Sequence, residues 1–303
     1  MKIQNLLLIA IIISLTACGG DSENSVQTNI TEETDPMSIF EDGIFYSSSE
    51  VKHEVYSSST ENTVPVVNIS SSSARKNITY GTLMDERDGQ VYKTVVIGNQ
   101  TWMAENLNYA DSVNALGIKG RSWCYDNDPG HCEKYGRLYN WAAAMDSAGN
   151  FSSNAKNCGF FSKCFITEPV RGICPEGWHL PSRNELETLI KFAVGFNIAG
   201  KNYGGRVLKS QMGWLEGNGT DGFGFAALPA GDRDGTNEAY NNKITTKVIF
   251  SGEGCYAAFW SSSEEKEQSA YIMSLHHFHD SVETPYGALK YKALSVRCIR
   301  DKD

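Results

Sequence analysis

Positive charge is the first shortage in this 303-residue chain: Lys and Arg number 27 against 36 Asp and Glu, for a formal net charge of −9. No basic stripe is available to neutralise phosphates, so nucleic acid is excluded as a partner. Long apolar runs are missing too. The run at residues 6–15 is too short to cross a bilayer as a helix. No two carboxylates stand at a spacing that singles out a general acid and a base. The expectation is a protein that is not an enzyme and carries no cofactor.

What the N-terminus does have is an export signal. Lys2 precedes the apolar run, which ends in Leu15-Thr16-Ala17-Cys18 and resembles a lipobox. That resemblance implies a signal peptide over residues 1–18, cleavage before Cys18 and acyl chains such as palmitate on that cysteine. Several chains on one residue anchor stably where one does not. An outer-membrane lipoprotein is therefore expected, displayed at the cell surface or on the periplasmic face.

Residues 19–79 are of a different composition. Serine tracts at 47–49, 57–59 and 70–73 recur without helical or strand period, and ten acidic residues face three basic ones, a net of −7. Such a segment cannot bury enough apolar surface to offset the entropy of ordering, so a disordered linker is expected. As a flexible coil it would hold residues 80–303 about 45 Å from the lipid.

Residues 80–303 suffice for one domain with a core. Their seven cysteines suit an oxidising compartment, and an odd number leaves one over. Alternation around Gly98-Asn99 predicts a hairpin over residues 91–103. Leu138, Trp141, Ala142 and Met145 predict a helix near 136–146. Ser182 with Glu185 is a capping box, followed by the apolar stripe Leu186, Leu189, Ile190, Ala193 and Val194 and then Gly195, suited to a left-handed C-terminal position. Pro181 biases the residues before it to an extended strand-like entry with Trp178 in the core. Leu294, Val296 and Cys298 alternate with Ser295 and Arg297, predicting a terminal strand with the cysteine on its buried face. Cys174 is the chosen partner of Cys298, closing the longest loop and contributing about 4 to 5 kcal/mol through the unfolded state. Cys124 with Cys132 and Cys158 with Cys164 read as local staples, leaving Cys255 over. Many other pairings of six cysteines remain open.

Six blocks of sequence carry a family resemblance: DERDGQVYKTVVIGNQTWMAENLNY (85–109), YGRLYNWAAAM (135–145), GICPEGWHLPSRNEL (172–186), GFAALPAG (224–231), FWSSSEE (259–265) and LSVRCIRD (294–301). In order and across nearly all of residues 80–303, they closely resemble the Fibrobacter succinogenes major paralogous domain, whose members are exported and often lipid-anchored. The WHLP-then-helix block and the SVRC strand also look like formylglycine-generating-enzyme-like domains. That likeness implies an α+β, C-type-lectin-like domain with paired terminal strands, two helices and long irregular loops. The chain departs from both relatives' chemistry. Glu168-Pro169-Val170 and Trp260-Ser261-Ser262 lack the oxygens of calcium-binding lectin motifs, and Cys255 has no neighbouring redox partner.

Several residues remain as site candidates. His277 and His279, beside His276 and Asp280, would on a strand share a face about 7 Å apart, within reach of one metal ion; a polar surface segment is the competing reading. Asp232 and Asp234, with Glu238, could hold calcium, but their glycine comes too early for the loop template and turn chemistry competes. Trp123, Tyr125, Trp214, Phe223, Tyr240 and Tyr256 could stack on sugars, or pack. His179 reads as a structural histidine. No ligand-binding residue is singled out. The function that fits is a membrane-anchored, outward-facing binding or adhesion module whose partner is an extracellular polysaccharide or protein. A hydrolase acting on such material and a structural envelope protein are the alternatives.

Overall fold

The computed structural model describes residues 78–110, 117–195, 202–235, 248–282 and 285–302. The expected signal peptide, Cys18 and nearly all of the expected linker lie outside them, as do Glu238 and Tyr240. In chain order the elements are β1 (Tyr80–Met84), β2 (Val91–Ile97), β3 (Gln100–Met103), β4 (Ser122–Trp123), α1 (Pro129–Tyr135), β5 (Leu138–Asn140), α2 (Trp141–Ala144), β6 (Trp178–His179), α3 (Arg183–Val194), α4 (Gly204–Leu208), β7 (Ala230–Asp234), β8 (Ile249–Glu253), β9 (Tyr256–Lys266), β10 (Ser269–His276), β11 (Tyr286–Leu289), β12 (Ala293–Ser295) and β13 (Ile299–Arg300). The class is α+β with sheet predominating. No helix among the described residues is long and apolar enough to cross a membrane.

One sheet has the order β1-β2-β3-β13-β6; the other runs β11-β10-β9-β12-β5-β4, with β7 joined to β12 and β8. The expected hairpin forms as β2 and β3, turning at Gly98, where φ is +62° and an added Cβ would lie 3.1 Å from the Phe192 ring. Glycine is therefore required both for the left-handed turn and for α3 to approach it. β13 pairs antiparallel with β3 at Ile299 and Trp102, so the last strand closes on the first hairpin. β6 flanks β13, and Trp178 is buried as expected.

Several sequence expectations need correction. Four α-helices are found among the described residues, not two. The helix expected over 136–146 shrinks to α2, because Leu138–Asn140 pairs with β12 and the Asn140 side chain then accepts from Ala143 N–H at 3.0 Å, starting the helix late. Leu138, Trp141 and Met145 are buried, but Ala142 of the same stripe is only partly so and Tyr139, Ala143 and Ala144 off it are buried as well, so the period did not pick out one core face. The terminal strand is not one alternating element: every residue from Ala293 to Ile299 is buried, Ser295 and Arg297 included, and the ladder breaks between β12 and β13. A neighbour on each side of the strand overrides the one-sided pattern.

α3 behaves as the sequence indicates, with both halves of the capping box present and Leu186, Leu189, Ile190 and Ala193 buried. Gly195 differs from expectation: its φ is −58°, and it continues the right-handed turn by donating to Lys191 O at 2.9 Å. The core has two main parts. One surrounds Trp141, Trp260 and Tyr139 beside the Cys174 and Cys298 sulfurs; the other surrounds Trp102, Phe225 and Phe259 under α3.

Disulfides join Cys124 to Cys132, Cys158 to Cys164 and Cys174 to Cys298, the pairing chosen from the sequence. Cys255 was expected as the cysteine left over. It is buried, and no described cysteine is a free thiol. Cys174 and Cys298 are 124 residues apart and fully buried. Replacing both by Ala is expected to lower unfolding free energy by about 4 to 5 kcal/mol, against about 2 kcal/mol for the six-residue-apart Cys158 and Cys164 pair. Urea unfolding of the two double variants checks the ranking, and equal losses would contradict closure by the long loop.

Candidate functional site

A large cleft, about 1020 Å³, lies among β1, β2, the end of α1 and the loops at 210–212 and 221–228. Its floor is built from the Asn106 neighbourhood. Asn106 is buried, donates through Nδ2 to Tyr135 O at 2.7 Å and to Ser295 Oγ at 3.2 Å, and accepts from Arg297 Nε at 2.8 Å. Arg297 is fully buried, donates also to the carbonyls of Phe225 and Ala226, and lies 4.3 Å over the Phe225 ring. Burial works against its charge and draws its pKa down to about 9, which still leaves a cation at neutral pH.

Tyrosines and amides in the walls are Tyr80, Tyr92, Tyr135, Gln90, Asn108 and Gln211, beside the charged Lys93, Glu105, Glu133 and Lys134. Tyr92 Oη accepts from Asn108 N–H at 3.1 Å, and Tyr135 Oη donates to Glu253 at 2.8 Å. Burial raises both phenols above their ordinary pKa, so they stay protonated. Asp221 also lines the cleft. Its Oδ1 accepts from Ala226 N–H at 2.7 Å, and burial raises its carboxyl pKa against the pull of that bond and of Arg297. Fixed amide and hydroxyl groups beside aromatic faces suit a hydroxyl-rich ligand. Neither Asn106 nor Asp221 was singled out in the sequence. Asn106 lies inside a quoted block, but nothing in its spacing marks a buried hub, and Asp221 belongs to no pattern.

The structure separates the candidates chosen from sequence. β10 ends at His276, so His277 and His279 are not on a strand and do not share a strand face. His279 Nδ1 lies 3.1 Å from Ser281 Oγ, and among the described residues no three His, Cys, Asp or Glu side chains are grouped to hold a metal. Asp232 accepts from Lys292 Nζ at 3.2 Å and from Ser251 Oγ at 2.9 Å, and the same ammonium is 3.6 Å from Asp234. A lysine thus pairs with both carboxylates that were the candidate calcium ligands, and the two belong to β7 rather than to the turn that was the competing reading. The stacking set is dispersed: Trp214 and Tyr125 are buried, Phe223 packs on Phe192, and Tyr256 on the His276 ring. Trp123 faces a second, smaller cleft.

His179 is buried between two carboxylates, with Nδ1 2.5 Å from Asp301 and Nε2 3.0 Å from Glu185. It ties β6, the start of α3 and the C-terminal segment together. Burial alone would lower its pKa, but Glu185 and Asp301 outweigh that and raise it; Glu185 in turn is lowered, against its own burial, by His179 and the Ser182 groups.

A protein-family model described as the Fibrobacter succinogenes major domain matches residues 95–300. No curated protein and no solved structure matches the chain.

Stability contributed by protonated His179 is complete below its unfolded value of 6.5 and is lost as pH rises through the higher folded value. Replacing His179 by Gln is expected to flatten the fall in melting temperature across that interval. An unchanged pH profile in the variant would show that the two carboxylates do not hold an imidazolium.

Proposed function

The chain belongs to the Fibrobacter succinogenes major domain family, and from that premise we propose that it is a non-catalytic binding module for an extracellular polysaccharide. It is held to the outer membrane through lipidated Cys18 and projected outward by the acidic segment ahead of residue 80. The arrangement is of the C-type-lectin-like kind. Support for this comes from the last strand closing on the first hairpin, from the long-range Cys174–Cys298 bridge and from the long loops between β6 and β9.

The observation that carries the binding reading is the lining of the large cleft. Tyrosine rings beside the side-chain amides of Gln90, Asn108 and Gln211 match the apolar faces and hydroxyl edges of pyranose rings, and the Asn106 network beneath them is ordered in advance, which reduces the entropic cost of capture. Asp221 favours the second reading, a hydrolase: a carboxyl held above its ordinary pKa in a cleft is what a general acid requires.

Retention of the purified whole protein on insoluble polysaccharides is the test. Tyr80 is half exposed on the cleft wall, and Tyr80→Ala is expected to weaken retention about tenfold without release of soluble sugar. Release of reducing ends that disappears in Asp221→Asn would replace the binding reading by the hydrolase. Unchanged retention in Tyr80→Ala would move the site elsewhere, and no retention on any polymer favours a structural envelope role.

A further inference from the structure

The second cleft, about 640 Å³, shares no lining residue with the large one. Its composition is the reverse of the chain's. In a protein of net charge −9, the described residues lining it include Arg121, Arg233 and Lys290 and no Asp or Glu. Its aromatic walls are Trp123, Phe160 and Tyr291, the last two meeting edge to face at 5.1 Å.

The three cations have different duties. Lys290 is buried and saturated: its Nζ donates to Gly159 O at 3.1 Å, Ser162 O at 3.2 Å and Glu267 O at 2.9 Å, and it pairs with Glu264. It fixes the Cys158–Cys164 loop as a wall and has no donor left for a ligand. Arg233 is buried with its guanidinium 3.8 Å over the Trp123 ring, so it orders that ring. Arg121 is exposed, donates to Ser147 Oγ at 3.2 Å, and has no acidic partner among the described residues. Its remaining N–H groups form the planar fork that matches a carboxylate.

We propose that this cleft binds a uronic-acid residue of an acidic polysaccharide, with the sugar carboxylate on Arg121 and the pyranose face against Trp123. A bare anion would need the charge but not the aromatic walls; a neutral sugar would need the walls but not the charge. The volume falls in the range that holds a small ligand. The site stands on its own residues and does not depend on the large cleft.

Calorimetric titration of the purified whole protein with trigalacturonate tests it, with the methyl ester of the same trisaccharide, sulfated lactose and a glutamate tripeptide as comparators. Binding of the acid form is expected to weaken about tenfold in Arg121→Ala and in the methyl ester, and in high salt. Trp123→Ala is expected to weaken it as well; Arg121→Ala is expected to keep the parent's melting temperature, Trp123→Ala to lower it because the ring packs on the core and under Arg233, and both folded variants to keep retention on neutral polymer. Equal affinity for acid and ester, or no effect of Arg121→Ala in a folded variant, overturns the proposal. Equal or tighter binding of the sulfated sugar or of the peptide overturns the uronate assignment in favour of that ligand.

Discussion

Seven consecutive buried residues, Ala293 to Ile299, set the terms for the rest of this domain. A buried strand end leaves its backbone polar groups and any polar side chains in need of partners, and each one left unmatched costs roughly 1 to 3 kcal/mol. The partners come from far away in sequence. Met103 N–H donates to Cys298 O at 3.0 Å, Leu107 N–H donates to Val296 O at 2.9 Å, and β12 is flanked by β5, β7 and β9. Asn106 satisfies both Ser295 and Arg297. The disulfide from Cys174 to Cys298 then locks the buried end to the segment ahead of β6.

A second device arises from the long loops. Loop carbonyls that face inward lack ladder partners, and this domain meets several of them with buried cationic side chains set against aromatic faces. Lys209 donates to the carbonyls of His276 and His279 and lies 5.2 Å over Trp214. Lys290 serves the 159–162 loop 4.4 Å over Trp141, and Arg297 serves Phe225 and Ala226. Burial lowers the pKa of all three, a cost offset by several charge-assisted hydrogen bonds apiece. These staples define the clefts. The large one has Asn106 and Ala226 from the Arg297 network in its lining, and the small one has Lys290 and its loop.

Much of the fold was legible beforehand, because it depends on short-range rules. The β2–β3 hairpin follows from alternation around Gly98, α3 from a capping box and a five-residue stripe, and the disulfide pairing from which cysteines flank turns and which sits on a buried strand. Two of the errors share one cause. Around Leu138 and Ser295 the sequence shows a one-sided pattern, while each segment gains a neighbour that pattern does not encode: β5 and β12 find each other across 155 residues of chain, and the pairing overrides helix at one end and exposure at the other. The sites were less legible still. Grouping in sequence suggested the histidine cluster and the Asp232–Asp234 pair, yet β10 ends before the histidines spread and Lys292 takes both aspartates.

Composition and local period by themselves settled the acidic balance of the chain, the membership blocks, the hairpin, the principal helix and the buried face of that helix, since each is read within one turn or one strand. Which polar groups are buried, where the clefts open and which charges line them were decided only in three dimensions. Asn106, Asp221 and Arg297, or Arg121, Trp123 and Arg233, are brought together by chain closure, and hydrogen bonding and electrostatics depend on distance through space rather than along the sequence.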